Sequence, residues 1–175
     1  GYARSLDLKH GCIEMAHGSG GRAMTQLINQ LFLAAFDNEF LRPMNDQASF
    51  PGFNGRMVMS TDSHVITPLF FPGGDIGSLS VHGTINDVAM SGAKPCYLAA
   101  SFILEEGFPL SDLKRIADSM AQAARAARVP IVTGDTKVVE KGSGDGVFIT
   151  TTGIGTVPDG INISSENARP GDKIL

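Results

Sequence analysis

The chain has 175 residues, of which 42 % are hydrophobic and 18 % charged, and carries a net charge of −4. These values fit one globular domain with its own core, and exclude a disordered chain and a basic surface for nucleic acid or anionic membrane. Two cysteines, Cys12 and Cys96, without CxxC spacing exclude a disulfide framework or structural zinc, and no apolar run nears the roughly 20 residues that cross a bilayer.

Gly1 to Glu14 has no apolar signal-peptide core, so the cytoplasm is the expected compartment. Residues 1–12, opening on Gly1 rather than Met, are expected to be a tag-like or disordered start. Met24, Leu27, Ile28, Leu31, Phe32 and Ala35 recur at helical spacing and predict an amphipathic helix from Gly21 to Phe36. Asp37 to Gly55 reads as a loop, and Met57 to Ser60 as a strand running into Thr61-Asp62-Ser63. Pro68 to Gly74 is a second loop, closed by Asp75 as N-cap of a helix through Ser91, which Gly92 to Pro95 stops. Tyr97 to Leu104 is an apolar strand. Ser111 is the expected cap of a helix bearing Leu113, Ile116, Ala117, Met120, Ala123, Ala124 and Ala127 on one face. Pro130 to Thr133 is a strand, Gly134-Asp135-Thr136-Lys137 a turn, and Val147 to Gly155 a Thr-rich strand that can form a hairpin with its predecessor across Glu140 to Gly146. After the first helix the order is β-α-β-α-β-β, which predicts an α+β domain: a mixed sheet with helices on one face. Arg169-Pro170-Gly171-Asp172-Lys173-Ile174-Leu175 reads as the start of a fresh strand, so the chain is expected to be truncated there.

Several residues along this frame carry chemistry. His17-Gly18-Ser19-Gly20-Gly21 sets flexible backbone just ahead of a helix, where N–H groups can turn toward phosphate. With Arg22 and Ala23 it also matches G-x-G-x-x-A, although only Ile13 to Ala16 is available as a preceding strand and no βαβ unit follows. A linker leading into a helix accounts for the same residues. Asp46, Asp62, Asp87 and Asp135 each lie beside small or polar neighbours. A site shared by such carboxylates needs a cation, and Mg²⁺ takes oxygen ligands, commonly one or two carboxylates with nucleotide phosphates. Plainer readings exist for three: turn residues at Asp62 and Asp135, and solvated loop at Asp46. Asp87 lies mid-helix beside Asn86, where propensity disfavours both, so a partner is expected there. Lys137 is either a point charge for phosphate or an exposed hairpin lysine. His64 and His82 pair with no carboxylate at informative spacing and read as structural, and the P-loop, HExxH and G-x-S-x-G patterns are absent.

Together, His17-Gly18-Ser19-Gly20-Gly21, Ser60-Thr61-Asp62-Ser63, Gly83-Thr84-Ile85-Asn86-Asp87-Val88-Ala89 and Thr133-Gly134-Asp135-Thr136-Lys137-Val138 resemble, in order and spacing, the aminoimidazole ribonucleotide synthetase superfamily. That superfamily includes selenophosphate synthetase and thiamine-monophosphate kinase. Pro68-Leu69-Phe70-Phe71-Pro72-Gly73-Gly74-Asp75-Ile76-Gly77 and Phe102-Ile103-Leu104-Glu105-Glu106-Gly107 are similar to its hydrogenase maturation subgroup, HypE. The likeness runs from about Ile13 to Leu175. It implies a PurM N-terminal-like domain over 13–168 that dimerises through its sheet, with ATP and Mg²⁺ in a groove beside the interface, and a following domain that begins at 169–175.

Carried over by position, the resemblance implies that Asp46, Asp62, Asp87 and Asp135 serve magnesium. It implies ATP contacts from His17, Gly18, Ser19, Gly20, Gly21, Asp62, Ser63, Asn86, Asp87, Gly134, Asp135, Thr136 and Lys137, with Lys137 and Asp87 as the catalytic pair. Relatives often carry Asp-Asp-Ala-Ala where this chain has Asn45-Asp46-Gln47-Ala48, so only one carboxylate stands there. The implied reaction is an ATP-dependent dehydration. A cysteine near the C-terminus receives a carbamoyl group from a partner carbamoyltransferase (HypF), ATP phosphorylates the carboxamide oxygen, and loss of phosphate leaves a thiocyanate. The cyano group then passes to iron on the HypC-HypD scaffold complex for the nickel-iron hydrogenase centre. Neither Cys12 nor Cys96 sits where the subgroup keeps that cysteine. Three other readings use the same residues: a small-metabolite kinase or synthetase of the superfamily, a dinucleotide-binding module on Gly18, Gly20 and Ala23, and a non-catalytic dimerisation domain.

Overall fold

The computed structural model describes residues 5–173. A 3-10 turn, Met15–Gly18, leads into helix α1, which begins as Arg22–Leu27, widens through a π-helical segment Ile28–Leu33 and closes with Ala34–Phe36. Strand β1 (Arg56–His64) follows a long loop. A short antiparallel hairpin, β2 (Phe70–Phe71) and β3 (Gly74–Asp75), then opens directly into α2 (Ile76–Met90). Strand β4 (Lys94–Glu105), helix α3 (Leu110–Ala127), β5 (Ile131–Val139) and β6 (Val147–Val157) complete the frame. The four long strands form one mixed sheet in the order β1-β6-β4-β5, with β6 antiparallel to both neighbours and β4 parallel to β5.

Period-2 patterning decides which side of the sheet is covered. Along β6, Val147, Ile149, Thr151, Gly153, Gly155 and Val157 are buried, while the intervening residues are half-buried. Leu98, Ala100, Phe102 and Leu104 of β4 turn the same way and meet Ile76 and Val81 of α2, Leu113, Ile116 and Met120 of α3, and Leu27, Leu31 and Phe32 of α1 in one core. The opposite side carries no helix and exposes Met59 at 72 % and Ile103 at 42 %.

Helix α2 lies on β6 at unusually short range. A Cβ built on Gly155 would stand 2.6 Å from Val88 Cγ1 and 2.7 Å from the Lys94 carbonyl oxygen. One on Gly153 would reach 3.0 Å from Thr84 Cγ2. At this contact the buried Thr151 hydroxyl donates to Ser80 O (2.8 Å) and lies 2.7 Å from Thr84 Oγ1, so no hydroxyl is left unpaired under the helix. Asp75 caps α2 reciprocally: its carboxylate accepts from Ser78 N at 2.8 Å, and its own N–H donates to Ser78 Oγ at 3.1 Å. Beyond β5, the Glu105 carboxylate accepts from Gly142 N (2.6 Å) and Gly146 N (2.9 Å). These two bonds, that from Gly142 first, hold its carboxyl below the usual carboxylate range and fasten the β5–β6 connection.

The mixed sheet, the element order and the single helical layer agree with the sequence reading. Several local expectations do not hold. Gly134 to Lys137 is not a turn but the middle of β5, because parallel pairing with Ala100 to Ile103 keeps it extended. Strands β5 and β6 form no hairpin: the α3 crossover sets β5 parallel to β4, and β6 returns to the far side of β4. Pro109, not Ser111, occupies the N-cap of α3, and no side chain caps it. The loop from Pro68 contains the β2–β3 hairpin, steadied by the Arg115 guanidinium 3.9 Å over the Phe70 ring.

The disordered start is also overturned for residues 5–12. Leu6 and Leu8 pack against the core, Leu6 N donates to Gln30 Oε1 at 2.8 Å, and Cys12 bridges to Pro109. Residues 1–4 lie outside the described residues, as do Ile174 and Leu175, where the fresh strand was expected; 169–173 are turn and coil.

Gly155→Ala should cost about 1–3 kcal/mol through overpacking against the Lys94 carbonyl, read as a lower denaturation midpoint at unchanged m-value. Retention of the wild-type midpoint would show that α2 can move off the sheet without cost.

Candidate functional site

The acidic residues singled out in the sequence fall into two groups at opposite edges of the sheet. The first lies on β1 and α2. Alternation along β1 turns Ser60, Asp62 and His64 toward the helical layer, and Thr61 and Ser63 away from it. Ser60 Oγ donates to Asp87 Oδ2 at 3.2 Å, which gives the mid-helix aspartate the partner expected for it. Thr84 Oγ1 stands 3.5 Å from Asp62 Oδ2, a weak contact that leaves the carboxylate with acceptor capacity. Gly83 makes room here: a Cβ on it would lie 3.1 Å from His64 Nε2 and 3.6 Å from Asp62 Oδ2. Asn86 and Asp87 are exposed. Ser63, carried over as an ATP contact, instead meets Thr150 Oγ1 at 2.9 Å on the open side of the sheet.

The second group lies on β5 and the segments that fold against it. Thr136 is buried beside Phe102, and the strand's alternation sends Asp135 and Lys137 to the other side, where both are exposed. The glycine-rich stretch packs against the next residue, since a Cβ on Gly18 would stand 2.8 Å from Val138 N. His17 is turned inward at 5 % exposure, and its Nδ1 accepts from Glu14 N at 2.9 Å. Gly20 adopts φ +76° with open space around it, a conformation that favours glycine. Asp46 joins this group through its carbonyl, which accepts from Thr133 Oγ1 at 3.4 Å. Between α1, the 41–46 segment and β5 lies a cleft of about 450 Å³, with apolar walls from Met24, Ile28, Phe36 and Met44 and a rim holding Asp46 and Asp135.

A 3-10 turn rather than a strand precedes the glycine-rich stretch, so Gly18, Gly20 and Ala23 do not sit in a βαβ unit and the dinucleotide reading loses its frame. The four aspartates do not gather within one chain either. Among the described residues no three His, Cys, Asp or Glu side chains form a metal-binding group. With neighbouring strands ~4.8 Å apart, the two edges of this sheet stand about 14 Å from each other. Each edge offers two carboxylates, Asp62 with Asp87 and Asp46 with Asp135. Two carboxylates among hydroxyl oxygens suit Mg²⁺, which completes its shell with water and phosphate oxygens.

Part of this arrangement is legible in the residues themselves. Period 2 in Ser60-Thr61-Asp62-Ser63-His64 already places Ser60 and His64 beside Asp62. The cleft walls, including Leu41 and Asn45, come from segments that share no pattern with β5.

Residues 45–157, which carry this sheet, match the family model described as AIR synthase related protein, N-terminal domain. The chain belongs to that family. Within it, the chain is similar to the carbamoyl dehydratase HypE of Cupriavidus necator, with 74 % identity over 100 % of this chain and 50 % of the relative. It is also similar to a HypE crystallised in complex with ATP, at 54 % identity and TM-score 0.87 over 90 % of this chain and 47 % of that one. A third likeness is to a crystallised HypE-HypF complex, at 57 % identity and TM-score 0.66 over 83 % and 47 %. The chain thus spans about half the length of the curated relatives it matches. Among its described residues no helix is long and apolar enough to cross a membrane.

Gly18→Ala should lower the thermal midpoint by several degrees, since the new methyl meets backbone at Val138. Gly21→Ala, with nothing within 4 Å and an extended φ of −95°, should leave it unchanged. Equal melting curves for the two variants would refute the packing described for the glycine-rich stretch.

Proposed function

We propose that this chain is the nucleotide-binding and dimer-forming part, over 13–168, of an ATP-dependent carbamoyl dehydratase. In the full-length protein it converts a cysteine S-carboxamide to a thiocyanate for hydrogenase maturation. Its near end-to-end likeness to one half of HypE supports this, as does the ATP bound by one of its structural neighbours. The observation that carries the site assignment is the separation of Asp62 and Asp87 from Asp46 and Asp135 onto opposite sheet edges. Two such edges complete each other when a second copy places its β5 edge beside β1. The helix-free side, with Met57, Met59 and Ile103 exposed, fits a second copy laid against it. The nucleotide then lies across the junction, its base toward the cleft beside α1 and its phosphates between the acidic pairs.

Magnesium, held by Asp62 and Asp87 from one copy and by Asp46 and Asp135 from the other, would supply charge neutralisation for the phosphates. The chain's own residues position the rest. Ser60 orients Asp87 through its 3.2 Å bond. Lys137, projecting from a strand rather than from a mobile turn, brings one positive charge to the phosphoryl oxygens at small reorganisation cost. Gly18 and Gly20 let backbone N–H groups close on the nucleotide. In the reaction the carboxamide oxygen takes the γ-phosphoryl group and ADP leaves. The C–O bond then breaks with release of phosphate and loss of both amide protons, and carbon keeps its bonds to sulfur and nitrogen. HypF as carbamoyl donor and the HypC-HypD complex as acceptor of the cyano group belong to the same reading. The crystallised HypE-HypF complex among the similar structures supports the first.

Two experiments test this. Asp87→Asn and Asp135→Asn should each abolish most Mg-ATP binding by calorimetry. Their equimolar mixture should recover roughly a quarter of the wild-type sites, because random pairing makes half the dimers mixed and each mixed dimer has one intact site. A mixture no better than either variant would overturn the shared site. In the full-length protein, carbamoylated at its acceptor cysteine, Mg-ATP should produce loss of one water by mass spectrometry; unchanged mass with carbamoylation confirmed would overturn the dehydratase assignment.

A further inference from the structure

The loop that carries Asp46 runs from Asp37 to Gly55, meeting β5 at Ile131 and Thr133 and β4 at Tyr97 before it enters β1. Its first part is tied down well. Asn38 Nδ2 donates to Ile131 O at 2.8 Å, its Oδ1 accepts from Phe40 N and Leu41 N, and Arg42 pairs with Asp37. Past Met44 the described tether of Asp46 to the sheet is the 3.4 Å bond from Thr133 to its carbonyl, which leaves the carboxylate free to swing. What bounds this span is aromatic. The Tyr97 ring of β4 meets Phe40 edge-on, with centroids 5.2 Å apart, and Phe50 at 4.6 Å. Phe53 closes the cluster at 5.9 Å from Tyr97 and 6.0 Å from Phe50. One ring thus touches the residues on both sides of the 41–49 span. Tyr97 itself sits between two register irregularities of β4, at Pro95/Tyr97 and Leu98/Ala99, so the strand is shaped locally around it.

We infer that Tyr97 is a positioning residue: by clasping Phe40 and Phe50 it holds the 41–49 span closed over the cleft and presents Asp46 to the metal-nucleotide. The inference rests on the nucleotide reading above for the role of Asp46. The physical reason is entropic. Each side chain or loop residue ordered at the moment of binding weakens affinity, whereas a span closed by stacked rings beforehand incurs that cost during folding. Aromatic contacts at these separations favour tilted and edge-to-face geometry and need no polar partner, so the clasp withstands salt and pH changes that weaken ion pairs. Leu41 and Met44, walls of the cleft, lie within the clasped span and are held with it.

The test uses the full-length protein and the variants Tyr97→Leu, Tyr97→Phe and Asp46→Asn, with hydrogen exchange across 41–49 and calorimetry of ATP with and without Mg²⁺. Tyr97→Leu should speed exchange in 41–49 relative to the helices and weaken Mg-ATP about tenfold, while binding of ATP without Mg²⁺ changes less. Tyr97→Phe, which keeps the ring, should behave as wild type. In the Asp46→Asn background Tyr97→Leu should cost no further affinity, because its effect passes through Asp46. Unchanged exchange at 41–49 in Tyr97→Leu, or an undiminished loss in the Asp46→Asn background, overturns the inference while wild-type binding leaves the nucleotide reading standing. A wild-type protein that binds no ATP overturns the nucleotide reading itself and Tyr97's role with it.

Discussion

The close seat of α2 on β6 is the contact from which the rest of the domain takes its geometry. A helix normally packs on a sheet through layers of branched side chains, but here Gly153 and Gly155 remove that layer and Val88 and Thr84 fill the gap. The hydroxyls of Thr84 and Thr151 and the Ser80 carbonyl satisfy one another beneath the helix, so the short distance leaves neither hydroxyl unpaired. With α2 fixed at this height, Asp87 on its far flank comes within hydrogen-bond reach of Ser60 on the neighbouring strand. A helix riding higher on ordinary side chains would lift Asp87 away from β1.

The same sheet accounts for the division of the candidate site. An open four-stranded sheet has two edges, and this chain places acidic residues at both. Neither pair alone is an unusual surface feature. Their placement at opposite edges of a sheet whose helix-free side exposes Met57 and Met59 is what the proposed two-copy arrangement draws on. The glycine-rich stretch and the loop bearing Asp46 belong to the β5 half. The first is held by backbone contact at Val138, the second by aromatic stacking on Tyr97.

Much of the frame was legible in the residues. The amphipathic runs from Met24 and from Leu113, the Asp75 cap, the Gly92 stop and the alternation from Val147 define elements by local physics, and the structure keeps each of them. The misreadings share one cause. Gly134-Asp135-Thr136-Lys137 has turn composition, and only pairing with β4 holds it extended. The apparent hairpin across 140–146 obeyed a local rule that the crossover through α3 overrides. Residues 5–12, part of the expected tag-like or disordered start, carry Leu6 and Leu8 against the core, a contact that only the folded chain supplies.

By itself the sequence determined the element order, the one-sided core and the identity of the acidic and glycine-rich segments. Each follows from periodicity, capping and side-chain chemistry that act over a few residues. The tertiary structure alone decided that Asp62 and Asp87 lie at one edge and Asp46 and Asp135 at the other, and that Tyr97 meets Phe40 and Phe50. Those outcomes depend on strand order and on the path of a loop around a sheet edge, and neither is encoded in the spacing of neighbouring residues.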